Sequence, residues 1–214
     1  MKYLLAFACL LQACVQGHLS TSTDIGFPKN TNPVSAFWPA FDRLPEKGAE
    51  YHVELFVRLA CRNHPHWVLD PLKGYVGHVF LALKKRNGPD SLVQYFGFYP
   101  RAGFPGVFNN KPVDAALADN ANHQYDASFG ADLNREKFDS LMLRAQSLAK
   151  TMRYQTYKYN CVDFATELMN SIVSGNAFAL PQRKHSLLPK YCHTPEDLFF
   201  LIINKKLHHE SEEF

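Results

Sequence analysis

The sequence predicts a single domain of the α+β class, and three observations predict it. Segments that partly alternate apolar and polar residues come first. Segments with apolar residues three and four apart come later, and no internal repeat divides the two blocks. The 214 residues are enough for one domain with a real core. A content of 46% hydrophobic and 20% charged residues excludes a disordered tail, a collagen-like repeat and a multi-span membrane protein. The formal charge of +3 comes from 23 basic against 20 acidic residues, with no Lys/Arg block. That margin does not indicate a nucleic-acid binder; at most it favours approach to an anionic surface.

Residues 1–17 read as a secretory signal peptide. Met1-Lys2 is cationic, the stretch after it is apolar but too short to span a bilayer, and small residues follow. Leu11-Gln12-Ala13-Cys14 resembles a bacterial lipoprotein box, which would anchor the chain through a lipidated Cys14. Gln12 is an unusual occupant of that box, which favours ordinary cleavage before His18 and free secretion. The expected location is therefore exported, secreted or periplasmic. Residues 18–48 form a polar lead-in bearing Pro28, Pro33, Pro39 and Pro45, and the folded domain is expected over 49–204.

Within that domain, residues 51–60 suit a strand, as do 75–83 and 92–98. The last two are separated by a polar turn, Lys84 to Asp90, and read as a hairpin with a slightly long loop. From Phe138 the period changes: Phe138, Leu141, Ala145, Leu148 and Met152 recur at helical spacing, with Asn134 as N-cap. A second helix starts near Asn160 and carries Cys161, Phe164, Ala165, Leu168 and Ile172 along one stripe. A third starts at Thr194-Pro195-Glu196-Asp197, where a capping Thr, a first-turn Pro and early acids agree. Residues 205–214 are a charged tail expected to fray.

The sharpest local feature is Tyr159-Asn160-Cys161-Val162-Asp163. A cap at Asn160 places Cys161 in the first helical turn, where free backbone N–H groups and the helix dipole favour a thiolate and could hold an oxyanion. Taken alone, Cys161 reads first as a small apolar residue at a buried helix end, since free cysteines usually pack there. A nucleophile also needs a base. Among ten histidines the most suggestive is His78, which opens an apolar strand after Gly74-Tyr75-Val76-Gly77.

A histidine at a strand start, a hairpin, and a later Asn-Cys-x-x-Phe opening a helix together resemble the circularly permuted papain-like cysteine enzymes. These comprise permuted NlpC-type cell-wall hydrolases and lecithin-retinol-acyltransferase-like proteins. The resemblance covers roughly residues 74–200. It implies an antiparallel sheet packed against helices, Cys161 as nucleophile and His78 as general base. It further implies a third polar residue from the next strand that orients the imidazole. Pairing Lys84 opposite Ser91 puts Tyr95 and Tyr99 on His78's face and Gln94 on the other, unless a bulge reverses the assignment, so Gln94 and Tyr95 are both candidates. The implied activity is cysteine-protease-like hydrolysis of an amide bond, with peptidoglycan peptides or another peptide-like substrate first. Lipid acyl transfer or phospholipase chemistry on the same pair is the alternative, and a non-catalytic secreted or lipid-anchored binding protein is the third.

Export changes the cysteine arithmetic: of five cysteines, Cys9 and Cys14 lie in the leader region, leaving Cys61, Cys161 and Cys192. An odd thiol in an oxidising compartment must be free, reactive or shared between chains. If the role implied for Cys161 keeps it a thiol, the disulfide is Cys61–Cys192. His64-Pro65-His66 and His208-His209 lack the supporting spacing of a metal site, so no metal is expected. No phosphate loop or dinucleotide fingerprint is present, so no cofactor is expected either. The sequence leaves oligomeric state open.

Overall fold

The structure, a computed structural model, describes residues 38–70, 75–107, 111–184 and 190–212. The leader reading of residues 1–17 therefore lies outside the described residues, as do 18–37 of the expected lead-in. From Trp38 onward that lead-in belongs to the domain. Trp38–Arg43 forms a short 3-10 helix. Trp38 meets Phe96 edge-on with centroids 5.3 Å apart, and Phe41 meets Phe138 in the same way at 5.2 Å. Two aromatic anchors among polar and proline residues gave too little periodicity to mark this as core.

Strand β1 (Glu50–Arg58) alternates strictly enough to bury Tyr51, Val53, Leu55 and Val57 on one face. Strands β2 (His78–Asn87) and β3 (Asp90–Pro100) follow as a hairpin. Its loop is only Gly88-Pro89, tighter than the expected polar turn. Gly88 has φ 59°, and proline cannot follow it into positive φ, so the turn is of the type with glycine alone at the left-handed position. A single turn of helix, α1 (Phe104–Val107), leads to β4 (Ala115–Ala118), and β5 (Ala127–Leu133) completes a five-stranded antiparallel sheet in the order β4-β3-β2-β1-β5. The fold is α+β, as the sequence predicts.

Helix α2 (Arg135–Thr151) is capped by Asn134, whose side chain accepts the Lys137 N–H at 2.9 Å. Helix α3 (Cys161–Asn170) carries the candidate nucleophile as its first residue. Two short strands, β6 (Arg183–Lys184) and β7 (Tyr191–Cys192), pair with each other before α4 (Pro195–Glu212). Thr194 and Asp197 cap α4 reciprocally. Its backbone stays helical through 205–212, where a frayed tail was expected. No described helix is long and apolar enough to cross a membrane.

The helices cover one face of the sheet. Val53, Leu55 and Val57 of β1, Val79, Leu81 and Leu83 of β2, and Phe96 and Phe98 of β3 pack there against Leu141, Phe164 and Leu168. Because side chains alternate, Phe56, Phe80, Ala82 and Tyr95 form a smaller cluster on the other face. Lys85 is buried with its ammonium on Phe41 O (3.1 Å), Leu44 O (2.8 Å) and the Glu46 carboxylate (2.6 Å). That bonding ties the first described segment to the sheet. A lysine expected in a polar turn is thus a buried anchor.

Candidate active site

Cys161 is placed by its neighbour's cap. The Asn160 side-chain oxygen accepts the N–H groups of Val162 (2.7 Å) and Asp163 (3.4 Å), and Asp163 returns a carboxylate to the Asn160 N–H at 2.8 Å. The Asn160 amide nitrogen donates to Thr156 O (2.9 Å) and His193 O (3.0 Å), so the cap is fixed from both sides. The backbone N–H of Val79, the residue that follows His78, is near enough to lower the Cys161 thiol pKa. Burial pushes the thiol up to about 12, and Asp163 adds to the rise, while N–H groups of Val79, Cys161 and Val162 pull it down. The sequence argument for a thiolate relied on first-turn N–H groups such as those of Cys161 and Val162, not on that of Val79, and burial outweighs them all.

His78 opens β2 directly after Gly77. At φ 73°, Gly77 sits where a Cβ would lie 2.7 Å from Arg58 O and 3.0 Å from Ala60 N, so only glycine permits this entry. The imidazole is 6% exposed and stacks on Tyr99 with centroids 4.2 Å apart. Burial, followed by the influence of His123 and Arg58, holds its pKa well below the usual histidine value. By alternation His78 lies on the face of Phe80, whereas Val79 and the sulfur lie on the helix side. The pair therefore shares the start of β2 but approaches it from two faces. Nε2 of His78 is buried and has no hydrogen-bond partner among the described residues.

The register places neither proposed third residue beside His78. Lys84 lies opposite Val93, two residues from the expected partner, so faces are as expected but neighbours are not. Tyr95 pairs with Ala82 and Gln94 with Leu83, well up the hairpin, and Gln94 is on the opposite face. What surrounds the imidazole is Tyr99, Asn120 and His123. Asn120, 1% exposed, donates from Nδ2 to the Tyr99 hydroxyl at 2.6 Å, and that hydroxyl lies 3.4 Å from His123 Nε2. Asn120 Oδ1 is likewise buried without a hydrogen-bond partner among the described residues. Both atoms crowd the bare α-carbon of Gly97: a Cβ there would collide with Nε2 and lie 2.6 Å from Oδ1. The one sequence signal for this group was Tyr99, already on His78's face by alternation.

A second polar cluster flanks α3. His193 Nδ1 meets the Asp163 carboxylate at 2.6 Å, and Nε2 meets Leu180 O at 3.0 Å. With an acceptor on each ring nitrogen, the Asp163 bond above all, the His193 pKa is raised despite partial burial. The expected Cys61–Cys192 disulfide is not formed: Cys61, Cys161 and Cys192 are all free. Parity constrains which thiols remain to pair but not their separation in space. Cys192 is buried beside Asp197 and Asp163, and burial first, then these carboxylates, pushes its thiol up to about 12. Among the described residues no three His, Cys, Asp or Glu side chains gather in a way that could hold a metal.

No protein-family model matches the chain, and neither the curated proteins nor the solved structures give a match.

Proposed function

We propose that the chain is an exported cysteine-dependent amide hydrolase of the permuted papain-like kind, acting on peptide-like substrates and cell-wall peptides first. One observation carries the reading: Cys161 opens the capped helix α3, and the backbone N–H of Val79, next to His78 in the chain, is close enough to favour its thiolate. The sulfur thus lies by the start of the strand that His78 opens, and the backbone N–H groups of Val79 and Cys161 favour its thiolate. Export rests on residues 1–17 alone.

In this reading both groups rest uncharged, a thiol pushed up by burial and an imidazole held neutral by it. His78 takes the thiol proton as sulfur adds to the substrate carbonyl, then passes it to the departing amine. Water, deprotonated by the same imidazole, breaks the thioester and restores the thiol.

The burial of Cys161 favours a second reading, a binding protein that keeps the scaffold without chemistry. Turnover separates the two. The full chain, Cys161→Ser and His78→Ala are each incubated with purified cell-wall peptides and, in parallel, with phospholipid vesicles. New amino groups from the peptides, absent with both variants, support the amide hydrolase. Cysteine-dependent release of fatty acid assigns the lipid alternative instead, and no product in either assay supports the binding protein.

A further inference from the structure

We infer that the β6–β7 hairpin and the Tyr157–Lys158 turn form a docking surface for an anionic phospholipid bilayer, set beside the capped start of α3. In the hairpin Arg183 pairs with Cys192 and Lys184 with Tyr191. Residues directly opposite on an antiparallel ladder share a face. Cys192 is buried and Tyr191 is 58% exposed, so Lys184 and Tyr191 stand together on the outer face. Lys190, one residue earlier, holds its ammonium 5.7 Å from the centroid of the Tyr157 ring. Lys158 is exposed and follows Tyr157 at the tip of a turn, where its N–H donates to Gln155 O at 2.9 Å. Asn160 fixes that turn to the hairpin's exit, since its amide donates both to Thr156 O and to His193 O.

The charge of this face identifies its partner. Lys158, Lys184 and Lys190 are exposed and make no ion pair among the described residues, whereas Arg62, Arg86 and Arg144 elsewhere each face a carboxylate. The two acids beneath the hairpin are committed inward. Asp163 bonds His193 and the Asn160 N–H, and Asp197 caps α4 and meets Arg183 at 3.9 Å. A chain of formal charge only +3 thus sets four cations on one hairpin and turn. Lysine is a compact point charge without the fork that arginine offers a single carboxylate, so three of them suit a diffuse negative surface. Tyr191 and Tyr157 add apolar rings with polar tips, the kind of side chain that rests at headgroup level. A soluble acidic peptide would answer the charge but give the exposed Tyr191 ring no role.

The test is co-sedimentation of the full chain with vesicles of equal parts phosphatidylglycerol and phosphatidylcholine, against vesicles of phosphatidylcholine alone. The neutral vesicles account for any binding by the apolar leader, which does not depend on lipid charge. The chain is expected to prefer the charged vesicles, and Lys184→Gln combined with Lys190→Gln to weaken that binding about 30-fold. Lys47→Gln combined with Lys84→Gln removes the same charge near the β2–β3 turn and should weaken it by about threefold at most. The indole introduced by Tyr191→Trp should be quenched by nitroxide-labelled lipid in the charged vesicles. Equal binding to both vesicles overturns the inference, as does equal weakening by the two double variants. Tighter binding to a soluble poly-glutamate peptide than to the charged vesicles, lost with Lys184→Gln and Lys190→Gln, also overturns it and assigns the patch to an acidic protein. None of these readouts involves turnover at Cys161, so the inference stands or falls apart from the hydrolase reading.

Discussion

Gly97 and Lys85 carry the most consequence per atom. Adding one methyl at Gly97 drives it into His78 Nε2 and Asn120 Oδ1, so Gly97→Ala must displace one of them. Overpacking of this kind costs about 1–3 kcal/mol, and a urea midpoint should show it together with a perturbed His78 ring spectrum. Lys85→Met keeps most of the buried stem but leaves two carbonyls and the Glu46 carboxylate without their cation. A loss of about 1–3 kcal/mol is expected, accompanied by faster amide exchange in residues 38–46. At this scale Cys161 and His78 were legible because a cap, a strand start and a glycine mark them locally. Asn120 was not: Asp119-Asn120-Ala121-Asn122 reads as turn chemistry, and nothing near it in sequence points to β2. Lys85 was hidden for a related reason, since three basic residues before a Gly-Pro look like a solvated turn.

Among the elements, the three long helices α2, α3 and α4 were the more readable because each begins with its own cap. Asn160 bears several bonds at once, joining α3 to the preceding turn and to β7's exit. Asn160→Ala is expected to cost about 1–2 kcal/mol for the cap. Asn160→Asp, which keeps the acceptor and loses the two donated bonds, should fall between it and the wild type in chemical denaturation. The strands at the sheet's edges escaped the sequence. Strand β4 is Ala-Ala-Leu-Ala, buried throughout and so without alternation. Strand β5 contains Gly130, where the His52 ring occupies the space a side chain would need, and this interrupts its pattern. The hairpin was recognised, but its register depended on a two-residue turn that the polar run concealed, and the identity of His78's neighbour changed with it.

For the whole molecule, the site is a junction where the end of the sheet, the capped start of α3 and the β6–β7 segment meet. Its pH response has a definite sign at His193. The folded chain raises that pKa above the ordinary value of about 6.5, so the stabilisation is complete below that value. It is lost as pH rises through the folded value. The stability difference between wild type and His193→Gln, followed by urea denaturation from about pH 5 to about pH 9, should therefore shrink with increasing pH. A difference that grows with pH would mean that the Asp163 bond does not favour the charged ring. The α+β architecture was legible from the order of its periodicities, whereas the site's two-faced geometry depends on twist and burial that no local pattern records.

The measurement closest to the central claim is the rate at which a carbonyl-mimicking, thiol-directed probe modifies Cys161 in the native chain at neutral pH. It is read by peptide mass spectrometry against half-buried Cys61 in the same sample. A general base at His78 predicts that His78→Ala slows Cys161 by about 10²-fold or more and leaves Cys61 unchanged. Equal slowing of both thiols, or none at Cys161, would contradict the pairing of that sulfur with that imidazole.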